Sequence, residues 1–400
     1  MKRSPTSRLH WLVLLLCLLA SLVPAQANPA KPRLKRVQDS APQLIEGSGP
    51  PYASRPEAMA LADEIARQHG LDAKWVRRTL GKARFVPQVA RLIVPPPVTS
   101  PRNWLQYRSR FLETERIQAG LAFWDTHREL LERASASYGV PAEIIIGIVG
   151  VETYYGRHLG RYRVIEALAT LALDFPSEHP RAVARTAFFR AELGEFLKQQ
   201  HQAGLDPFKV RGSYAGAMGI PQFMPSSWAR YAVDFDGDGR VDLGASPADA
   251  IGSVAHYFKA FNWKPGMPTH YPVDFDYERL DMQALLAPDI RPTFPVEQLE
   301  ARGVLLGTDA RQHVGPLALI ELQNGEYSPS YVAGTENFYV VTRYNWSSYY
   351  ALAVIELGQA VAAARQAALS RADARPSLTV SNTGCSVSIR SSASESASCR

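Results

Sequence analysis

Two short stretches carry residue types that could do chemistry. The first is IIIGIVGVETYYG (144–156), an apolar run with a single carboxylate, Glu152, set among aliphatic and aromatic neighbours. Burying an unpaired charge is costly, so this acid is either neutralised by a partner or held in discomfort for use. The second is DFDGDGRVD (234–242), with aspartates at loop positions 1, 3, 5 and 9 and glycine at position 6. Oxygen ligands alternating along a tight turn suit a hard cation such as calcium. The carbonyl of Arg240 would be the position-seven ligand, but position 12 is Ala245, where an EF-hand carries a bidentate glutamate. A solvated, aspartate-rich turn without metal is the competing reading.

The element that must hold Glu152 is legible. Pro141 suits a first helical turn with Glu143 just inside it, so the pattern predicts a helix over 141–155 ending near Gly156. On that helix Ile148, Val149 and Tyr155 share the face of Glu152. Glu152 falls in the last turn, near the negative end of the helix dipole. Desolvation and dipole both disfavour the ionised form, so a raised pKa is expected, as a general acid needs at neutral pH. On pattern alone, a structural pairing with Arg157, Arg161 or Arg163 competes with catalysis.

Around this helix the spacing predicts others at 55–70, 72–84, 114–139, 164–173, 180–204, 246–260 and from Ser347 to about Ala374. The proline-rich VPPPVTSP (94–101) interrupts them. Between about 266 and 340 prolines multiply, and GPLALIEL (315–322) and ENFYVVTRY (336–344) look like strands. The fold class expected is α+β, mainly helical, with a small β insertion. At 400 residues, 46% hydrophobic and 20% charged, the chain has ample core for this.

The N-terminus sets the compartment. Lys2, Arg3 and Arg8 precede the apolar run 11–23, and Ala25-Gln26-Ala27 offers a small-x-small cleavage site. This is the pattern of a signal peptide (1–27), too short for a comfortable membrane span. Leu16 precedes Cys17 where a lipoprotein signal needs a small residue, so lipid anchoring is not expected. Removing Lys2, Arg3 and Arg8 lowers the formal net charge from +6 to +3. That suits an acidic polymer substrate and is far from a nucleic-acid signature. Residues 28–54 read as a linker, and 371–400 as a Ser-rich disordered tail holding the two remaining cysteines, Cys385 and Cys399. With scattered histidines, no HExxH and a cysteine-free body, other metals are not indicated. Nor does any dinucleotide fingerprint or Ser/His/Asp signature stand out, so no organic cofactor is expected.

The segment GSYAGAMGIPQFMPSSWAR (212–230) lacks a GK[ST] ending and is no phosphate loop. Together with GIVGVETYYG (147–156), ALATLALDFP (167–176), AVDFDGDGRVDL (232–243), DAIGSVAHYF (249–258) and NFYVVTRYNWSSYYALAV (337–354), it resembles the membrane-bound lytic transglycosylase B family. These are lysozyme-like enzymes of bacterial cell walls, and this chain would be a soluble periplasmic member. The resemblance runs in order from about residue 55 to 370. It implies a lysozyme-like core, a helical subdomain, a small β subdomain near 266–340 and an EF-hand-like loop, with the glycan in the groove between them.

The resemblance also implies roles. Glu152 would be the sole catalytic acid/base, cleaving between N-acetylmuramic acid and N-acetylglucosamine without water and closing a 1,6-anhydro ring. Ser213 would hydrogen-bond the sugar or the carboxylate. Met218, Gln222, Phe223, Tyr107, Tyr257, Tyr339, Tyr344 and Asn345 would line the groove, where aromatic faces with polar rims suit sugars. Without the motif each lone tyrosine reads as a core or rim residue. Asp234, Asp236, Asp238, the Arg240 carbonyl and Asp249 would hold a structural calcium, although one extra residue before Asp249 leaves its geometry open. The partners implied are peptidoglycan strands and other cell-wall enzymes, with the chain itself a monomer. Two alternatives compete. A lysozyme-type hydrolase would need a second carboxylate, for which Asp174 and Glu166 are the candidates. An inactive glycan-binding scaffold would have no use for an intact Glu152 and Ser213.

Overall fold

The computed structural model describes residues 44–95 and 101–373. The signal-peptide segment, most of the stretch read as linker, part of VPPPVTSP and the Cys385/Cys399 tail lie outside the described residues.

Helix Ala142–Thr153 is the centre of the largest core. Ile144, Ile145, Ile146, Ile148 and Val149 are all buried, each burial contributing about 1.5–3 kcal/mol. Around it pack helices Thr114–Thr126, Arg128–Tyr138, Pro247–Ala260 and Ser348–Asp373. The closest crossing is with Ser348–Asp373. A Cβ on Gly147 would lie 2.1 Å from the Val354 carbonyl oxygen, and one on Gly358 would lie 2.0 Å from that of Glu143. Two glycines, one on each helix, therefore permit backbone-to-backbone contact no side chain would allow.

A second core gathers helices Pro56–His69, Ala73–Lys82, Pro87–Leu92, Val164–Leu173 and Ala182–Gln202. Residues 44–54, from the stretch read as linker, are built into it. Tyr52 is buried and donates its hydroxyl to Asp174 Oδ2 (2.6 Å), and the Gly47 amide donates to Glu166 Oε2 (2.8 Å).

The third core lies under a four-stranded antiparallel sheet in the spatial order Val304–Leu306, His270–Phe275, Tyr327–Gly334, Ala318–Asn324. Ile320 opposes Val332 and Tyr271 opposes Ala333.

Three expectations are corrected. ENFYVVTRY is not a strand: Glu336–Thr342 is a helix, because Thr335 caps it by accepting the amides of Asn337 and Phe338. Tyr339 therefore sits on a helix, and Tyr344 and Asn345 follow that helix rather than a strand end. The 114–139 helix breaks at His127 (φ −114°, ψ 27°) into two. Tyr155 lies beyond the end of its helix, which stops at Thr153.

Candidate active site

The turn that ends the central helix is unusual. Tyr154 (φ 52°) and Tyr155 (φ 59°) are consecutive non-glycine residues in the left-handed region, and Gln222 (φ 52°), in the PQF segment, is another. Each such residue costs about 1–3 kcal/mol and persists only where surroundings over-determine it. They do so here. The Tyr154 amide donates to Gly150 O (3.2 Å) and that of Tyr155 to Val149 O (3.1 Å). Thr153 donates its hydroxyl to Ile220 O (2.8 Å) and accepts the Gly156 amide (3.0 Å). Arg116 donates to Gly150 O (2.8 Å) with its guanidinium 4.4 Å from the Tyr154 ring centre. This pins Glu152, in the last turn, against the 218–223 loop.

Glu152 itself is part-exposed, with its carboxyl enclosed by phenols. Tyr350 Oη donates to Glu152 Oε1 at 2.6 Å. Burial pushes the carboxyl up to about 7, opposed by that hydrogen bond. Desolvation is the largest cause of the shift. Tyr107, Tyr344 and Tyr350 are all raised by burial first and by the Glu152 charge second. Three neutral phenols thus surround the acid, and among the described residues no salt bridge engages it. Arg163 pairs instead with Glu46 (2.6 Å), and Arg157 lies over the Tyr154 ring.

Other nominated residues fall into two groups. Tyr344 stacks on Tyr350 (6.4 Å, 15°) and donates its hydroxyl to Pro221 O (2.6 Å), tying the PQF segment to the tyrosine wall. Phe223 and Tyr257 extend that aromatic cluster, at 5.8 and 4.9 Å from Tyr344, but are themselves buried. Tyr257 spends its hydroxyl on Arg343 O (2.7 Å). Met218 is 1% exposed and packs in the second, helical core. Gln222 donates to Gly219 O (2.9 Å) and Leu159 O (3.4 Å), holding its own strained turn. Ser213 accepts the amides of Ala215 (3.3 Å) and Ala217 (3.0 Å) and makes no hydrogen bond to Glu152. Tyr339 is part-buried edge-on to Trp346, and Asn345 is exposed beside it.

In the acidic loop, carboxylate oxygens of Asp234, Asp236 and Asp249 lie within 4.8 Å of one another. Asp249 is 1% exposed, accepts the amides of Phe235 (2.8 Å) and Asp242 (2.7 Å), and has no ion pair among the described residues. Asp234 organises the turn by accepting from Gly237, Asp238 and Gly239. Asp238 is outside the three-carboxylate group; it accepts the amide of the exposed Arg240 (2.8 Å). Three hard-oxygen donors converging with no counter-charge fit a calcium ion.

The profile of the Transglycosylase SLT domain family matches residues 53–359. The chain is 39% identical over 333 residues to Membrane-bound lytic murein transglycosylase B of Escherichia coli, covering 79% of this chain and 86% of that protein. The chain belongs to the lytic murein transglycosylase family. Its fold is similar to that of Escherichia coli lytic transglycosylase Slt35 in complex with calcium, with 38% identity, TM-score 0.69, and 82% and 98% of the two chains covered. It is also similar to Pseudomonas aeruginosa SltB3 in complex with NAG-NAM-pentapeptide, with 30% identity, TM-score 0.61, and 76% and 79% covered.

The fold of this lytic transglycosylase is thus lysozyme-like. The candidates for a second carboxylate are committed elsewhere: Asp174 to Arg55 (2.6 Å) and Tyr52, and buried Glu166 to Gly47. The contact that sequence reading missed is Tyr350. It stands inside the NWSSYYALAV motif, and its only signal was a pair of polar-tipped aromatics opening an otherwise aliphatic helix.

Proposed function

We propose that Glu152 is the single acid/base with which this lytic murein transglycosylase cleaves peptidoglycan. The observation that carries the assignment is a carboxyl pushed up to about 7 by burial and held by one phenol. At neutral pH a large fraction of it is protonated and can deliver its proton to the glycosidic oxygen between N-acetylmuramic acid and N-acetylglucosamine. The N-acetyl oxygen of the substrate stabilises the resulting sugar cation. Glu152, now ionised and stabilised by the Tyr350 hydroxyl, takes the proton of the C6 hydroxyl as the oxygen closes the 1,6-anhydro ring. No water is consumed and one group serves in both steps, as acid and then as base.

The part-buried Tyr107 and Tyr344 give sugars an apolar face with polar tips, while the buried Tyr350 serves the carboxyl of Glu152. Ser213 accepts two amides, and its remaining proton is available to the sugar. Asp234, Asp236 and Asp249 would hold calcium, with Asp238 and the Arg240 carbonyl as further candidates; the charge would knit the loop to helix Pro247–Ala260 without entering the chemistry. The calcium-bound Slt35 structure supports this reading. Signal-directed export places the substrate within reach, and the complex of SltB3 with NAG-NAM-pentapeptide supports glycan strands as the partner.

Mass spectrometry of peptidoglycan digested with the wild type and with Glu152→Gln tests the assignment. Products lighter by one water than hydrolysis products, lost in the variant, are expected. Reducing-end products would instead require an activated water and a second carboxylate.

A further inference from the structure

Residues 44–50 do more than lead into the first helix. Ile45 bridges Tyr162 in parallel, its amide donating to Arg161 O (2.8 Å). Tyr162 in turn opposes Gly212, in the antiparallel pair of strands Tyr162–Arg163 and Arg211–Gly212. Gly212 bridges Met218, and Met218 bridges Phe223 through backbone bonds of 2.8 and 3.0 Å. One continuous ladder, Ile45–Tyr162–Gly212–Met218–Phe223, thus runs from an N-terminal strap to the aromatic cluster around Tyr344. Met218 belongs to the second core and Phe223 to the largest, so the ladder crosses between them. Ser213 follows the third rung, its amide donating to Ala217 O (2.9 Å). Ile220, between the last two rungs, accepts the Thr153 hydroxyl that holds the turn after Glu152.

The outer rung is locked in place. The Gly47 amide donates to Glu166 Oε2 (2.8 Å), and Glu46 pairs with Arg163 (2.6 Å). Glu166 is 1% exposed, and among the described residues that amide is the one hydrogen bond its carboxyl receives and no ion pair engages it. Releasing the strap would leave a buried carboxyl without its donor, a costly loss. The strap also fits tightly. A Cβ on Gly47 would lie 2.5 Å from Arg84 Cβ, and one on Gly49 would lie 2.8 Å from Phe85 Cβ. Glycine at both places lets the strap press against Arg84 and Phe85 while Gly47 reaches Glu166.

We propose that the strap is a positioning element for the reaction: Glu166, by holding the Gly47 amide, fixes the outer rung of a ladder whose inner rungs seat Ser213 and the 218–223 loop against Glu152. The proposal rests on the reaction assigned to Glu152 and adds Gly47 and Glu166 as positioning residues on which its rate depends.

The test measures Tm, and kcat and KM for anhydro-ended product from purified strands, on folded full-length protein well below Tm. Gly47→Ala and Glu166→Ala break the lock from its two sides, and Glu166→Gln keeps a carbonyl oxygen for the Gly47 amide. Ile65→Ala, in the same core on helix Pro56–His69 and outside the ladder, is the control for stability alone. Each lock-breaking variant should lower kcat roughly tenfold or more with little change in KM, since the acid loses its aim at the bond. The double variant Gly47→Ala/Glu166→Ala should be no slower than the slower single one, because both remove one contact. Glu166→Gln should keep most of the rate, and Ile65→Ala should lose Tm but not kcat. An unchanged kcat in the lock-breaking variants, an equal fall in Ile65→Ala, or losses that multiply in the double variant would overturn the proposal. If Gly47→Ala does not fold, the contrast between Glu166→Ala and Glu166→Gln decides alone, equal rates overturning it. Anhydro-ended product from the wild type with no such contrast sinks this proposal only, whereas no such product from the wild type sinks the reaction on which it rests.

Discussion

Tyr350 Oη lies 2.6 Å from Glu152 Oε1, joining side chains 198 residues apart in the chain. The phenol favours the ionised carboxyl, opposing the burial that disfavours it. Tyr350→Phe should therefore raise the Glu152 pKa further and move the alkaline limb of the pH–rate profile upward. With the conjugate base left unsupported, kcat near neutrality should fall roughly tenfold, about 1.4 kcal/mol. Stopped assays across pH 5–9 on purified strands would read both effects; an unchanged alkaline limb would remove Tyr350 from the account.

A carboxyl raised from 4.5 to about 7 makes folding pH-dependent. The unfolded carboxyl ionises near 4.5, while the folded one resists until about 7. The contribution to stability is thus fully present below 4.5 and is lost as pH rises through 7. The loss at and above neutral pH is about 3 kcal/mol. Glu152→Gln should escape it: chemical denaturation should find the variant equal to wild type at pH 4 and more stable by up to about that amount at pH 7.5.

The Gly147–Gly358 crossing sets how Tyr350 meets Glu152. Gly147→Ala forces a methyl group to within 2.1 Å of the Val354 carbonyl oxygen. The helices must separate, at a cost of about 1–3 kcal/mol. Activity should fall out of proportion to stability, because the displaced helix carries Tyr344's partner Tyr350. Equilibrium unfolding together with kcat on the folded fraction would separate the two losses.

Calcium should act on stability and not on the bond-breaking step. At a hundredfold excess over Kd it would add about 2.7 kcal/mol, so chelation should lower Tm and Asp234→Asn should blunt the effect. Thermal melts with and without calcium, in wild type and variant, give the answer directly. A Tm indifferent to calcium would return the loop to a plain aspartate-rich turn.

The local parts of this architecture were legible in the sequence. Helix Val164–Leu173 was anticipated residue for residue, and Glu152 stood out because one acid in an aliphatic run has few explanations. What escaped was set by tertiary partners. The β-branched and aromatic run 336–344 reads as a strand, yet Thr335 caps it into a helix. His127 breaks a helix with neither glycine nor proline to announce it. Met218 reads by spacing as a groove residue, yet its side chain is buried at 1% exposure, a distinction that burial makes and spacing does not. The Tyr350 contact required two distant helices to meet at two glycines.

The most direct test of the central claim is a titration of Glu152 itself, by carboxyl-carbon NMR of selectively labelled protein with Glu152→Gln assigning the resonance. An apparent pKa near 7 is the result this account predicts. A value at the ordinary glutamate level near 4.5 would contradict it, because the acid would then be ionised when its proton is needed.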